Sequence, residues 1–377
     1  MDRAADVAET DEKRIMSETA ATETESPASP IRFEVGRLAP GYFAAVMGTG
    51  IVSIGLHDAG LLVPSAVLMW ITAALFVGLW VLYIWRAIAF WDRVVADLRD
   101  PEKAFAYFTV VAAADVVGVR LCQEGWMPVA ASLFLFAALI WFVFGYVLPW
   151  QVMMTRDGKV ILASANGTWF VWAVASQSLA VGMGQLRPQA DSELAQWIGL
   201  LAVLAWSVGV ILYAAMAVMV LLRVVQYGVT PQQFEPPYWV AMGALAIAVV
   251  AGAGIVQMDR TPLVDAVRPL IAATVVIFWV FCLWLIPLLV GAGIWRHVLH
   301  RVPLRYVPAL WSMVFPVGMI AVASISLGKA DALPAAGAVG DVALIVAVIV
   351  WAAVFAGLVH HLVNVLWAST RARRVGA

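Results

Sequence analysis

Asp115 lies in the middle of an apolar segment, Val110-Val-Ala-Ala-Ala-Asp115-Val-Val-Gly118. A carboxylate buried in such a segment is costly unless it is paired or takes up a proton. Arg120 is the nearest basic residue, but five residues along a helix turn through about 500°, which leaves the two side chains about 140° apart. Asp115 therefore either bonds to a neighbouring helix or serves as a proton site. Arg120 itself either attracts anions to the mouth of a pathway or extends to lipid headgroups.

Uncharged polar and small residues recur in other apolar segments. Asn166 and Gln177 are eleven residues apart, about three helical turns, so a continuous helix would place them on one stripe with Phe170 between them. This stripe either lines a wet path or hydrogen-bonds to adjacent helices. Further candidates for lining such a path are Gly48, Thr49, Gly50, Ser53 and Ser312.

A proline interrupts the apolar segment Tyr306 to Leu327 directly after Phe315. Pro316 has no N–H and its ring clashes with the carbonyl of Ser312, which predicts a kink near Phe315. A freed carbonyl is costly against lipid, so the kink is predicted to face protein or water. Phe315 is then either an aromatic gate in a pathway or a packing residue, since proline is frequent in membrane helices.

Sequence patterns typical of catalytic and metal sites are missing. The chain has no GxSxG, HExxH or P-loop pattern. Cys122 and Cys282 form no CxxC, and the histidines are too scattered for a metal site. They are His57, His297, His300, His360 and His361. The sequence predicts no metal and no cofactor, and it makes an enzyme the less favoured class.

The composition indicates a membrane protein. With 63% hydrophobic and 12% charged residues among 377, the chain has too little charge to cover a soluble surface of its size. The mean hydropathy of +0.91 agrees, so the lipid bilayer is a predicted partner. A net charge of −1 without a basic cluster excludes nucleic acid.

Ten apolar segments define the predicted spans. They are 38–56, 62–86, 104–122, 126–148, 162–184, 195–222, 238–257, 266–290, 307–327 and 338–367. Their pairing into five hairpins of similar length indicates an internal repeat. Small, polar and helix-breaking residues concentrate in the first member of each pair, whereas the second is apolar all round. We predict an all-α integral membrane fold of ten transmembrane helices, in five helical hairpins around a central pore, with first members inside.

The distribution of basic residues predicts the orientation. Of the 23 Lys and Arg residues, 18 fall on the side shared by both termini. The other side holds Arg120, Arg187, Arg260, Arg268 and Lys329. By the positive-inside rule, both termini are cytoplasmic and the protein lies in the plasma (inner) membrane. The predicted organisation is a disordered acidic tail (1–37), a ten-helix membrane domain (38–367) and a short basic tail (368–377).

Four sequence blocks carry a family resemblance. They are Pro40-Gly41-Tyr42-Phe43 with Met47-Gly48-Thr49-Gly50, Asn166-Gly167-Thr168-Trp169-Phe170, Pro236-Pro237-Tyr238-Trp239, and Trp311-Ser312 with Phe315-Pro316-Val317-Gly318. Together they resemble the tellurite-resistance/dicarboxylate transporter family, which includes plant slow anion channels, yeast malate permeases and fungal sulfite pumps. The resemblance implies five hairpins around a pore, often a homotrimer, and a phenylalanine before proline that occludes the pore, here Phe315. Asp115 departs from a purely anion-friendly lining, which leaves proton coupling open.

These observations favour transport of a small anionic solute as the function. The resemblance implies C4-dicarboxylates or sulfite-like oxyanions, met by backbone dipoles, hydroxyls and amides of the inner helices. The alternative is an integral membrane enzyme or a sensor without transport activity.

Overall fold

A computed structural model describes residues 30–154, 160–187, 192–259, 261–330 and 334–375. These residues are predominantly helical and contain no strand. Eight of the helices in this part of the chain are long and apolar enough to cross a membrane. The prediction of an all-helical membrane protein is therefore confirmed.

The described helices follow the predicted apolar segments closely. Short helices are α1 (Pro30–Gly36) and α4 (Trp91–Arg99). The long ones are α2 (Ala44–Asp58), α3 (Leu62–Ala89), α5 (Thr109–Gln123), α6 (Met127–Met154), α7 (Phe170–Leu186), α8 (Ser192–Tyr227), α9 (Val240–Val256), α10 (Pro262–Ile294), α11 (Trp311–Ala330) and α12 (Pro334–Val375). Helices α2 and α7, with 15 and 17 residues, are shorter than the eight candidate spans, so ten transmembrane crossings stay a prediction.

Two classes of long helix differ sharply in burial. In each candidate span the burial of an apolar stretch of 18 residues can be compared. In the spans that contain α5, α9 and α11, 72–89% of this stretch is buried. The fraction is 17–22% in the spans that contain α3, α6, α8, α10 and α12. We call α2, α5, α7, α9 and α11 the inner helices and the other five the outer helices. Small residues let the inner helices approach closely, while the uniformly apolar outer helices expose their side chains as lipid-facing helices do.

The inner helices contact one another in a closed order. Helix α2 packs on α5, α5 on α7, α7 on α9, α9 on α11, and α11 back on α2. Each of α2, α5, α7 and α9 also packs on the outer helix that follows it. For α11 the partner is α12, where the backbone of Gly337 lies 2.7 Å from the position a Cβ of Gly328 would take.

Each inner helix is preceded by a 3₁₀ turn at the same end of this ring. The turns are Pro40–Phe43, Ala104–Phe108, Gly167–Trp169, Pro236–Trp239 and Pro308–Leu310. Three of them carry proline in the first two positions, where its missing N–H costs nothing. The turns also contact one another in a closed order. The positive ends of five helix dipoles are thereby gathered at one end of the ring.

Helical structure continues outside the predicted spans, in α1 and at the end of α12. The chain forms a main compact unit, 39–358, and a smaller one that contains α1 and the end of α12. Helix α1 lies within the segment predicted as a disordered tail, where Pro30 is a favourable first residue and Val35 is buried. Residues 1–29 lie outside the described residues. Helix α12 continues to Val375 because no Gly or Pro intervenes after Trp367 until Gly376.

Candidate functional site

Phe315 and Pro316 lie in the first half of α11, at the contact of three inner helices. Phe315 is 1% exposed. Pro316 packs on α9, since a Cβ at Gly243 would lie 2.8 Å from the proline ring. On α11's other side, a Cβ at Gly318 would lie 2.6 Å from Ile51 of α2. The glycines on both sides allow the close approach that places Phe315 among the inner helices.

The direction of Phe315 follows from a hydrogen bond on the opposite face of α11. Ser324 accepts a bond of 2.9 Å from the indole N–H of Trp279, which belongs to outer helix α10. Nine residues separate Ser324 from Phe315, which places them about 180° apart on the helix. Since Ser324 faces an outer helix, Phe315 faces the interior of the ring.

A cavity of about 470 Å³ lies where α7, α9 and α11 end. It is lined by Ala180, Val181, Gly184, Gln185, Arg187, Val250, Ala251, Ala253, Gly254, Gln257, Met258, Asp259 and Ser326. Ser326 is eleven residues after Phe315 and so lies on the same face of α11, about 16 Å further along. On α9, Val250 and Gly254 continue the stripe of Gly243, which contacts Pro316. The cavity therefore opens on the face that leads to Phe315.

On α2, three residues that were predicted to line a path lie between helices. A Cβ at Gly50 would come 2.4 Å from Val116 of α5, and one at Gly48 would come 3.1 Å from Val314 of α11. Thr49 donates to the carbonyl of Ala45 at 2.8 Å and accepts from the indole of Trp351 in outer helix α12 at 3.1 Å. In this structure these three residues serve helix packing.

Arg120 is enclosed by polar partners instead of standing at an open mouth. It is 1% exposed, and it donates to the hydroxyls of Ser53 and Ser65 at 3.0 and 3.1 Å. Glu124 forms an ion pair with it at 2.7 Å. The two serines also bond to each other's carbonyls at 2.7 Å. Neither predicted role, anion attraction or snorkelling, accounts for this side chain, which joins α5 to α2 and α3.

Asp115 has a partner on a neighbouring inner helix, one of the two predicted alternatives. Its Oδ2 atom is hydrogen-bonded to the hydroxyl of Ser178 in α7 at 2.5 Å. Its Oδ1 atom has no hydrogen-bond partner. Among the described residues, no basic side chain pairs with Asp115, which is 1% exposed. Sequence spacing could not name Ser178, because the contact joins two helices 63 residues apart.

Asn166 and Gln177 do not share a helical stripe, which corrects the prediction. Helix α7 begins only at Phe170, and Asn166 is extended, with φ −146°. Its Oδ1 accepts the N–H of Thr168 at 2.8 Å, while its Nδ2 donates to the carbonyl of Glu102 at 3.1 Å. A side chain that caps a turn in this way competes with helix continuation. Gln177 donates to the carbonyl of Trp206 in outer helix α8 at 3.1 Å.

Phe170 and Ser312 also differ in their surroundings. Phe170 is buried and packs on Tyr213 of outer helix α8, with ring centroids 5.3 Å apart. Ser312 is half-buried in the first turn of α11, three residues before Phe315. Ser312 is therefore one turn away from Phe315 on the same helix. In the described part of the chain, no group of three His, Cys, Asp or Glu residues could hold a metal ion.

Gly167 is the point where two 3₁₀ turns meet backbone to backbone. A Cβ there would lie 2.2 Å from the carbonyl carbon and oxygen of Pro237. We expect Gly167→Ala to lower the free energy of unfolding by about 1–3 kcal/mol, because backbone atoms must move apart. Thermal unfolding of the detergent-solubilised protein measures this. Gly254→Ala is the control, since nothing lies within 4 Å of its Cβ position, and equal melting of the two variants would contradict the prediction.

Comparison with known proteins places this architecture in a family. The family model described as voltage-dependent anion channel (SLAC1) matches residues 37–359. The chain belongs to the SLAC1 family. This match confirms the resemblance inferred from the motifs and identifies a membrane protein of an anion channel and transporter family.

Relatives of this SLAC1-family chain match different shares of its length. An uncharacterized membrane protein of Mycobacterium tuberculosis is 47% identical over 160 residues, which is 42% of this chain and 81% of the relative. Two uncharacterized transporters of Methanocaldococcus jannaschii are 25% and 24% identical, each over 74% of this chain and 80–81% of the relative.

None of the thirteen residues that line the cavity was among the site residues predicted from the sequence. Arg187, Gln257 and Ser326 lie at or just after the ends of three inner helices that are far apart in the sequence. The available signal was their position, since each is a polar residue near the end of a predicted inner segment. Arg187 entered the sequence analysis only as a charge that sets orientation.

Proposed function

We propose that this protein conducts small anions through the ring of inner helices, with ten transmembrane helices in five hairpins around a central pore. The observation that carries the proposal is the closed order of contacts among α2, α5, α7, α9 and α11. A cavity lies at one end of this ring, and its lining residue Ser326 is on the face of α11 that also carries Phe315. Five helix N-termini at the other end favour anions by their dipoles.

Phe315 is the proposed gate and Pro316 its support. Pro316 cannot donate to the carbonyl of Ser312, so a polar carbonyl stays available beside the ring of Phe315. Ser312, three residues before Phe315, adds a hydroxyl group, which holds an anion weakly. Weak binding suits conduction, because a tightly held ion does not leave.

The proposed substrates are C4-dicarboxylates such as malate, or sulfite-like oxyanions. Their support is the Met47-Gly48-Thr49-Gly50 block, which resembles the malate and sulfite branch of the family. Flux of labelled malate and of sulfite into proteoliposomes tests the proposal. We expect uptake above protein-free liposomes for at least one of them. If neither anion enters, even through a Phe315→Ala variant, the chain is a sensor or an enzyme instead of a permease.

We propose that the protein lies in the inner membrane with both termini in the cytoplasm. Assembly as a homotrimer is a further proposal, which rests on the family resemblance. The bias of 18 basic residues to 5 supports the orientation. We expect cysteines inserted in 87–103 and 223–237 to react with an impermeant thiol reagent only from the cytoplasmic side. Labelling of 87–103 from outside would reverse the orientation.

A further inference from the structure

Arg187 is a buried cation in the lining of the cavity. It directly follows α7 and is 5% exposed. Its Nη2 donates to the carbonyl of Asp259 at 2.9 Å, and its Nε donates to the carbonyl of Ala195 at 3.4 Å. Its Nη1 is buried and has no hydrogen-bond partner. A buried donor without an acceptor is unfavourable, so this nitrogen is suited to bind one.

The charge of Arg187 is not neutralised by an acidic partner in the described residues. Its two bonds go to backbone carbonyls, which orient the guanidinium without cancelling its charge. Of the thirteen residues that line the cavity, Arg187 is the one basic residue and Asp259 the one acidic residue, which is exposed at the rim. The guanidinium therefore has charge to offer to a solute.

Arg187 opposes the helix dipoles at this end of the ring. Helices α7, α9 and α11 all end here, and each helix C-terminus carries roughly half a negative charge. Gln185 and Gln257 add neutral amides to the lining. Arg268 also reaches this end and donates to the carbonyl of Met258 at 2.9 Å, but it is paired with Asp265 at 3.1 Å. Arg187 is therefore the cation of the cavity lining that has no acidic partner among the described residues.

We propose that Arg187 makes this cavity an anion-recruiting vestibule, in which a small oxyanion binds weakly to the guanidinium beside the amides of Gln185 and Gln257. A guanidinium presents a planar pair of donors that matches a carboxylate or a sulfur oxyanion. This inference rests on the proposed function, because it assigns the cavity to the anion pathway. It adds a site at the end opposite to the five helix N-termini.

Charge-selective cysteine modification of the purified full-length protein in detergent tests the vestibule. Gly254 lines the same cavity and has open space at its Cβ position, so Gly254→Cys places a thiol there. The rates of reaction with an anionic and a cationic methanethiosulfonate are compared, and the protein without this change gives the background. We expect Arg187→Gln to lower the anionic-to-cationic rate ratio about fivefold, as loss of a nearby unit charge should, and Arg187→Lys to retain most of it.

Lys329→Gln is the matched control. It removes a positive charge near the end of α11, at the same end of the ring as Arg187, from a residue that does not line the cavity. The Lys329 ammonium donates to the carbonyl of Asp58 at 2.8 Å, and we expect the ratio to stay within about twofold. An unchanged ratio in Arg187→Gln overturns the vestibule. If that variant does not fold, the test uses the Gly254→Cys protein with native Arg187. We expect malate and sulfite to lower the rate at which the anionic methanethiosulfonate reacts with this cysteine. An unchanged rate overturns the proposal.

The modification rates do not depend on transport. A ratio that falls in Arg187→Gln while malate and sulfite flux is absent, even through a Phe315→Ala variant, supports the vestibule and overturns the proposed function. Flux together with an unchanged ratio overturns the vestibule and leaves the proposed function standing.

Discussion

Phe315→Ala is expected to raise basal anion flux at least about tenfold, which corresponds to removing about 1.4 kcal/mol from the barrier to permeation. The ring of Phe315 faces the interior of the inner helices, opposite to the bond between Ser324 and Trp279. An apolar constriction blocks ions by excluding water, and a methyl group at this position would leave the path open. Uptake of labelled malate and sulfite into proteoliposomes measures the change.

Stability distinguishes a gate from a packing residue. Removing a core phenylalanine costs about 3–5 kcal/mol because it leaves a cavity. At a gate the cost should be smaller, since water and anions can enter the space. We therefore expect the thermal unfolding temperature of Phe315→Ala to stay close to that of the wild type.

Phe170→Ala is the matched control for this prediction. Phe170 is as buried as Phe315 but packs on Tyr213 of an outer helix, so its loss should lower stability without raising flux. A Phe315→Ala protein that melts far below the wild type and conducts no better would show that the ring is packing and that the path lies elsewhere.

The sequence predicted where the helices lie because hydrophobic length and small-residue content are local properties. Ten apolar segments became ten long helices, and the four segments richest in Gly, Ser and Thr became inner helices. They are 38–56, 162–184, 238–257 and 307–327. A lipid-facing helix needs uniform apolarity, whereas close packing needs small side chains. Both requirements appear in composition alone.

The site could be predicted only in part, because its contacts join distant helices. Whether a polar side chain on α2 faces a path or a neighbour depends on the rotation of that helix, which Gly50 against Val116 and Thr49 against Trp351 determine. The break at Asn166 was missed because an asparagine in an apolar segment can either continue a helix or cap a turn. The carbonyl of Glu102, which accepts a hydrogen bond from Asn166 and favours the capped turn, lies 64 residues away in the sequence.

Arg120 shows the same limit for charge. Its sequence position near the end of an apolar segment predicts contact with water or headgroups. In the structure, two hydroxyls, from α2 and α3, and Glu124 one turn later enclose it. This enclosure requires that Ser53 and Ser65 come into contact across the hairpin of α2 and α3. No local sequence pattern predicts that contact.

The hydrogen bonds around Asp115 are best explained by a neutral carboxyl group. Ser178 has one hydroxyl proton, yet both Asp115 Oδ2, at 2.5 Å, and the carbonyl of Ala175, at 2.9 Å, lie within bonding distance of its oxygen. If Asp115 carries a proton and donates it to Ser178, Ser178 can donate to Ala175, and both short contacts of the Ser178 oxygen are hydrogen bonds. The cost of an unpaired carboxylate in an apolar segment favours the same form.

Asp115→Asn is accordingly expected to fold normally and to flatten the pH dependence of anion flux. The amide is permanently neutral and still offers a donor to Ser178, so we expect the free energy of unfolding to change by no more than about 1 kcal/mol. A single proton site can change flux by up to about tenfold per pH unit, and the variant should lose that dependence. Uptake measured across a pH series in proteoliposomes tests this.

Asp115→Val separates the two roles left open for this residue. Valine removes both the titratable group and the bond to Ser178, which keeps Ala175 as its acceptor. If proton uptake is the role, both variants lose the pH dependence and both accumulate. If the bond between α5 and α7 is the role, Asp115→Asn keeps the wild-type pH profile while Asp115→Val melts at lower temperature, because only the asparagine can still bridge the two inner helices.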